Sequence, residues 1–194
     1  MFDAQLRSLI DRPMSAVARW LVPFGIRADW VTLAGAVVAF AGMILIAREL
    51  YLFGLGAIVL NRLLDGLDGA VARLTQPTEA GAYLEAVFDT MFFASVPFAF
   101  GLANPEHAVA ASFVIFGAMT AGAAAWLFMA FAQRSGQASM PFASIVESLT
   151  MVLGFAIACV VPQWFSIVAY VLGVTAFILA GIRIAAAVNT FDKA

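Results

Sequence analysis

Four acidic residues stand in a stretch that is otherwise apolar: Asp65 and Asp68, then Glu85 and Asp89. Carboxylates inside hydrophobic segments are costly in a bilayer, so four of them in two adjacent segments read as functional. At about 100° per helical residue, Asn61, Arg62, Asp65, Asp68, Gly69, Ala72 and Arg73 fall within a sector of about 140°. Gly81, Glu85 and Asp89 follow one another at intervals of four, so they share one face of the next segment. Two such faces turned together would surround one small volume with carboxylates. Like charges that close remain ionised only beside cations. An all-oxygen donor set suits Mg²⁺, Mn²⁺ or Ca²⁺ rather than a soft metal. Gly69 and Gly81 leave the helix surface bare, so a ligand can come close to the backbone. Pairing with Arg62 and Arg73 would compensate two of the acids but not four. Arg62 reads first as the partner of a neighbouring acid. Asn61 stays open between a polar contact across helices and a place in the site lining.

The elements that must position these residues are membrane helices. Of the 194 residues, 64% are hydrophobic and only 11% are charged, and the mean hydropathy is +0.99. A soluble domain carries about a quarter charged residues, so the composition describes an all-α integral membrane protein. A net charge of −2 excludes no partner, because the charges are localised. The single Cys159 rules out a disulfide framework within the chain. Asp3, Arg7, Asp11, Arg12 and Arg19 interrupt the first 25 residues, which is not the pattern of a secretory signal. Phe2, Leu6, Leu9, Ile10, Met14, Val17, Trp20 and Leu21 recur there at helical spacing, so residues 1–25 are expected to form an amphipathic helix in the membrane interface.

Residues 26–194 are expected to form one six-helix membrane domain. Its spans run from about Trp30 to Ala47, Tyr51 to Arg73, Glu79 to Ala103, His107 to Ala132, Phe142 to Val161 and Trp164 to Val188. Each is long enough to cross roughly 30 Å of hydrocarbon. Thr78 is placed to cap the third span. Arg7, Arg12, Arg19, Arg27, Arg73, Arg134 and Lys193 then share one side, with only Arg48 on the other. That bias puts the N-terminus and the acidic site at the cytoplasmic face; the membrane itself is expected to be a bacterial inner membrane.

The run Asp65-x-x-Asp68-Gly69-x-x-Ala72-Arg73, followed by Gly81-x-x-x-Glu85-x-x-x-Asp89, resembles the signature of the CDP-alcohol phosphotransferases. The segment from Gly25 to Thr32 also looks like that family's entry into its first span. Two positions depart from the pattern: the spacer from Arg73 to Gly81 holds seven residues, one fewer than commonest, and Glu85 stands where the signature has Asp. The resemblance implies transfer of a phospho-alcohol group, commonly from CDP-diacylglycerol, to an alcohol acceptor with release of CMP. It implies two divalent cations, Mg²⁺ or Mn²⁺, held by Asp65, Asp68, Glu85 and Asp89, with Asp89 as general base. It implies nucleotide contacts at Gly69, Ala72, Arg73 and Gly81, with Thr32 a weaker candidate, and a homodimer. A glutamate can still ligate such an ion, but its carboxylate sits about 1.5 Å further out.

Three side chains elsewhere are candidates for the acceptor or a phosphate: Glu147, Arg134 and Arg183. For Glu147 and Arg183 the competing reading is that they pair with each other, because an isolated intramembrane acid wants a partner. Two rival functions remain open at this level. One is a degenerate relative that binds metal and CDP-lipid but turns over poorly. The other is a small ion-coupled transporter, for which acids spread through the bilayer depth would be expected. No feature of the sequence identifies the acceptor.

Overall fold

The computed structural model describes residues 13–75, 78–134 and 144–191. Helix α1 covers residues 13–21. Six longer helices follow: α2 (Ala28–Ala47), α3 (Tyr51–Leu74), α4 (Glu79–Ala103), α5 (Ala108–Arg134), α6 (Ser144–Val160) and α7 (Phe165–Phe191). Among the described residues there is no strand. Helices α2, α4, α5 and α7 are long and apolar enough to cross a membrane. Helix α3 is as long, but Arg62, Asp65, Asp68 and Arg73 depress its hydropathy, and the described part of α6 has only 17 residues. Length and composition therefore mark four spans where the sequence pattern leads to an expectation of six.

The chain divides into two compact units. The first comprises residues 1–42 and 56–92, and the second residues 43–55 and 93–194. Asp65, Asp68, Glu85 and Asp89 all lie in the first unit. There, Ala18 of α1 is fully buried with Ala70 and Val71 of α3, and Met14, Val22, Ala28 and Leu67 pack around them. Gly66 leaves room for Met14: a Cβ at that position would lie 3.6 Å from the methionine Cγ. The expected apolar face of the N-terminal helix is thus divided. Met14 faces protein, whereas Val17 and Trp20 are exposed, and Trp20 leans on the equally exposed Phe24 at 5.2 Å between ring centroids. Residues 1–12, with the rest of that expected helix, lie outside the described residues.

Two local devices aim the chain at the site. After a short turn of 3-10 helix (Val22–Phe24), Gly25 takes a left-handed conformation with φ 76°, which a residue without Cβ adopts at little cost. Helix α2 begins three residues later, with Asp29 in its first turn. Before α4, the Thr78 hydroxyl accepts the Gly81 N–H at 2.9 Å, the expected capping bond.

In the second unit, small residues let helices approach closely. A Cβ on Gly117 of α5 would stand 2.9 Å from the Gly173 carbonyl of α7, and one on Gly154 of α6 would stand 2.7 Å from Leu172. Glycine at such positions lets backbones meet in an apolar setting. Tyr51, Phe100 and Phe165 stack in a column, with centroid separations of 5.4 and 4.3 Å. His107, which its loop position would leave solvated, instead bonds Ser166 Oγ through Nδ1 at 2.9 Å and leans on Phe165.

Candidate functional site

Helices α2, α3 and α4 bring the four acids to one cleft. Asp65 and Asp68 of α3 and Glu85 and Asp89 of α4 line it together with Thr32, Gly35, Asn61 and Arg62. A larger cavity of about 310 Å³ shares Thr32, Asp68 and Glu85 with this cleft. Its other walls include Arg27, Asp29, Ala72, Thr75, Thr78 and Gly81. Of the expected nucleotide positions, Thr32, Ala72 and Gly81 face this cavity, whereas Gly69 and Arg73 are not among its lining residues. The Arg73 side chain folds back over Gly69, with Nη1 3.5 Å from where a Cβ there would stand. Gly81 has no room for a side chain, since its Cβ would lie 2.7 Å from Asp29 Oδ1 and 3.0 Å from Thr78 Oγ1.

The acids differ in environment. Asp68 is 3% exposed. Its Oδ2 accepts the Thr32 hydroxyl at 2.7 Å, while its Oδ1 is buried without a hydrogen-bond partner. Such an orphaned oxygen costs free energy unless a donor or a cation reaches it. Asp65 and Asp89 are about a third exposed and share one cation, Arg62. Its Nη1 donates to Asp89 Oδ1 at 2.8 Å and lies 3.4 Å from Asp65 Oδ2. Glu85 is exposed and lines both the cleft and the larger cavity. Asn61 does both things left open for it: it lines the cleft, and its Nδ2 donates to the Gly35 carbonyl of α2 at 2.9 Å.

The donor set fits a hard divalent cation. All four side chains offer oxygen, one buried oxygen is unpartnered, and a positive charge already stands between two of them. As arranged, however, no three acidic, histidine or cysteine side chains among the described residues converge on a single ion position.

Two cavity residues escape a reading that starts from the acids. Asp29 and Arg27 sit at the mouth of α2, and their signal was a charged pair beside a glycine at the head of an apolar helix. The acceptor candidates lie in the second unit. Arg183 of α7 is 3% exposed; its Nη2 donates to Glu147 Oε2 of α6 at 2.5 Å and its Nη1 to the Ala121 carbonyl at 2.9 Å. Glu147 and Arg183 thus pair. Arg134 ends α5, and its side chain lies outside the described residues.

The family model for CDP-alcohol phosphatidyltransferase matches residues 26–187. The inner membrane protein YnjF of Escherichia coli strain K12 is 35% identical over 175 residues, covering 86% of this chain and 85% of that protein. Two crystal structures of Mycobacterium tuberculosis phosphatidylinositol phosphate synthase (PgsA1), one with CDP-DAG and one with manganese and citrate, share the fold at a TM-score of 0.74 and 22% identity. They cover 91% and 90% of this chain, and the chain covers 94% and 88% of theirs. With the match spanning most of its length, the chain belongs to the CDP-alcohol phosphatidyltransferase family.

Proposed function

We propose that the protein is an integral inner-membrane transferase that moves a phosphatidyl group from a CDP-linked lipid, such as CDP-diacylglycerol, to an alcohol and releases CMP. One observation carries this reading: acids from α3 and α4 line a common cleft that adjoins a cavity walled by Thr32, Ala72 and Gly81. The names of its relatives agree with it, since PgsA1 binds CDP-DAG and manganese and YnjF is an inner membrane protein. Asp65, Asp68, Glu85 and Asp89 would hold two divalent cations, Mg²⁺ or Mn²⁺. Bound there, such ions neutralise a diphosphate and stabilise the departing phosphate.

The chain's own groups then do the rest. The small faces at Gly69, Ala72 and Gly81, with Thr32 and Arg73, admit and orient the nucleotide. The acceptor oxygen bonds to the lipid-side phosphorus, the bridging P–O bond breaks, and CMP leaves. The hydroxyl proton passes to the Asp89 carboxylate, which must stand within hydrogen-bond reach of it. Residues 1–25 would lie in the interface, residues 26–194 would cross the membrane six times, and the N-terminus and cleft would face the cytoplasm, in a homodimer. Glu147 and Arg183, already paired, are weak acceptor ligands, and Arg134 is the remaining candidate of that group.

The test is to incubate the purified protein with CDP-diacylglycerol, Mn²⁺ or Mg²⁺ and a panel of alcohols, and to measure CMP. The expected result is metal-dependent CMP release with at least one alcohol; silence across the panel would overturn the reading. Glu85 motivates a second one, a member that binds metal and CDP-lipid yet turns over slowly. If the first reading holds, Glu85→Asp changes CMP release by less than about tenfold. A gain of about 100-fold, the scale on which a misplacement near 1 Å acts, would favour the second.

A further inference from the structure

We propose that Arg62 is a resident counter-cation of the acidic cleft, and that a divalent ion reaching Asp65 and Asp89 must compete with its guanidinium. The inference rests on the transferase reading only in taking these carboxylates as destinations for a divalent ion. The guanidinium is held from several directions. Nη1 donates to Asp89 at 2.8 Å and lies 3.4 Å from Asp65, so one cation joins α3 to α4. Nε and Nη2 both donate to Asn61 Oδ1, at 3.1 and 2.8 Å. Asn61 is itself anchored on the Gly35 carbonyl. The guanidinium carbon sits 4.1 Å from the Phe92 ring centroid, within cation–π range.

This is a built site rather than a loose surface pair, since the Arg62 side chain is only 17% exposed. Its consequence is geometric. Two carboxylates on different helices are drawn onto an arginine, and no three acids among the described residues meet at one ion position. An arginine does not give up its proton, so the positive charge cannot be titrated away; the side chain has to move. A long flexible stem makes that movement possible. In the metal-free protein Arg62 holds the two helices together against carboxylate repulsion. When an ion arrives, two positive centres contend for the same oxygens, and metal affinity is set by the difference.

The experiment measures Mn²⁺ binding to the full-length detergent-solubilised protein, from the electron paramagnetic resonance signal of free Mn²⁺. Arg62→Gln is expected to tighten Mn²⁺ binding about tenfold or more, because a nearby like charge is removed from the ion's surroundings. It should also lower the melting temperature in EDTA, with Mn²⁺ restoring it. Affinity unchanged or weakened, with Mn²⁺ still bound by the wild type, would overturn this proposal and leave the transferase reading standing. No Mn²⁺ binding by either protein would overturn both. Should Arg62→Gln be recovered unfolded, Asn61→Ala serves instead: it releases the two bonds that hold the guanidinium, and about threefold tighter Mn²⁺ binding is expected. Unchanged or weaker binding in that variant would count against the proposal.

Discussion

Asp68→Asn is expected to lower CMP release by about 1,000-fold while leaving the protein folded in the membrane. The replacement is isosteric, and Thr32 can still bond the carbonyl oxygen of the new amide. What disappears is a charge at the best-buried of the four acids, whose Oδ1 has no other partner. Removing one preorganised electrostatic group from a transfer site costs about 100- to 1,000-fold in turnover. Here the same side chain also serves as an oxygen donor, because a neutral amide is a poor ligand for a hard cation. The check is CMP release from CDP-diacylglycerol at saturating Mn²⁺, set beside Mn²⁺ binding. A fall of less than tenfold would show that Asp68 does not carry the chemistry assigned to it.

The second large effect is expected in stability rather than rate. Glu147→Gln should destabilise the protein by about 3–5 kcal/mol, since it leaves a buried guanidinium without its counter-charge. Arg183 is nearly inaccessible, and among the described residues Glu147 is its charged partner, the Ala121 carbonyl being neutral. Replacing both residues by apolar ones of similar size should recover most of the loss, because the desolvation cost of two charges vanishes with them. Thermal melting in one detergent, across the single and double variants, measures this. A melting temperature unmoved by Glu147→Gln would mean that Arg183 is satisfied without its acid.

The two predictions separate two kinds of polar residue inside an apolar chain. The sequence cost of each is the same, since a charge among aliphatic residues demands compensation wherever it stands. Glu147 and Arg183 compensate each other's charge, although the Arg183 Nε is buried without a hydrogen-bond partner. Asp65 and Asp89 share the Arg62 guanidinium, while Asp68 keeps a buried oxygen without a hydrogen-bond partner, which a cation would satisfy. That imbalance is the physical content of the proposed metal site.

Helix positions were legible from the residues because long apolar runs bounded by Pro, Gly and charged turns admit little else in a membrane chain. The Thr78 cap was legible because a hydroxyl three residues before Gly81, at the head of a helix, has one obvious acceptor role. The signature from Asp65 to Asp89 was legible because its spacing follows the helical repeat. Less could be read where packing decides. Periodicity placed Met14, Val17 and Trp20 on one apolar face, but of these Met14 packs on the core of Ala18, Ala70 and Val71, while Val17 and Trp20 are exposed. Gly117 of α5 meets Gly173 of α7, a partner that no local pattern of small residues specifies.

The amino-acid order alone determined that this is a helical membrane chain with an acidic, glycine-flanked motif on two adjacent helices, because hydropathy and the 3.6-residue repeat are local properties. The tertiary structure decided which cations and hydroxyls face those acids: Arg62 between Asp65 and Asp89, Thr32 on Asp68, and Arg183 on Glu147. Those pairings join residues up to 36 positions apart. They depend on the rotation of each helix about its axis, which only packing against its neighbours fixes.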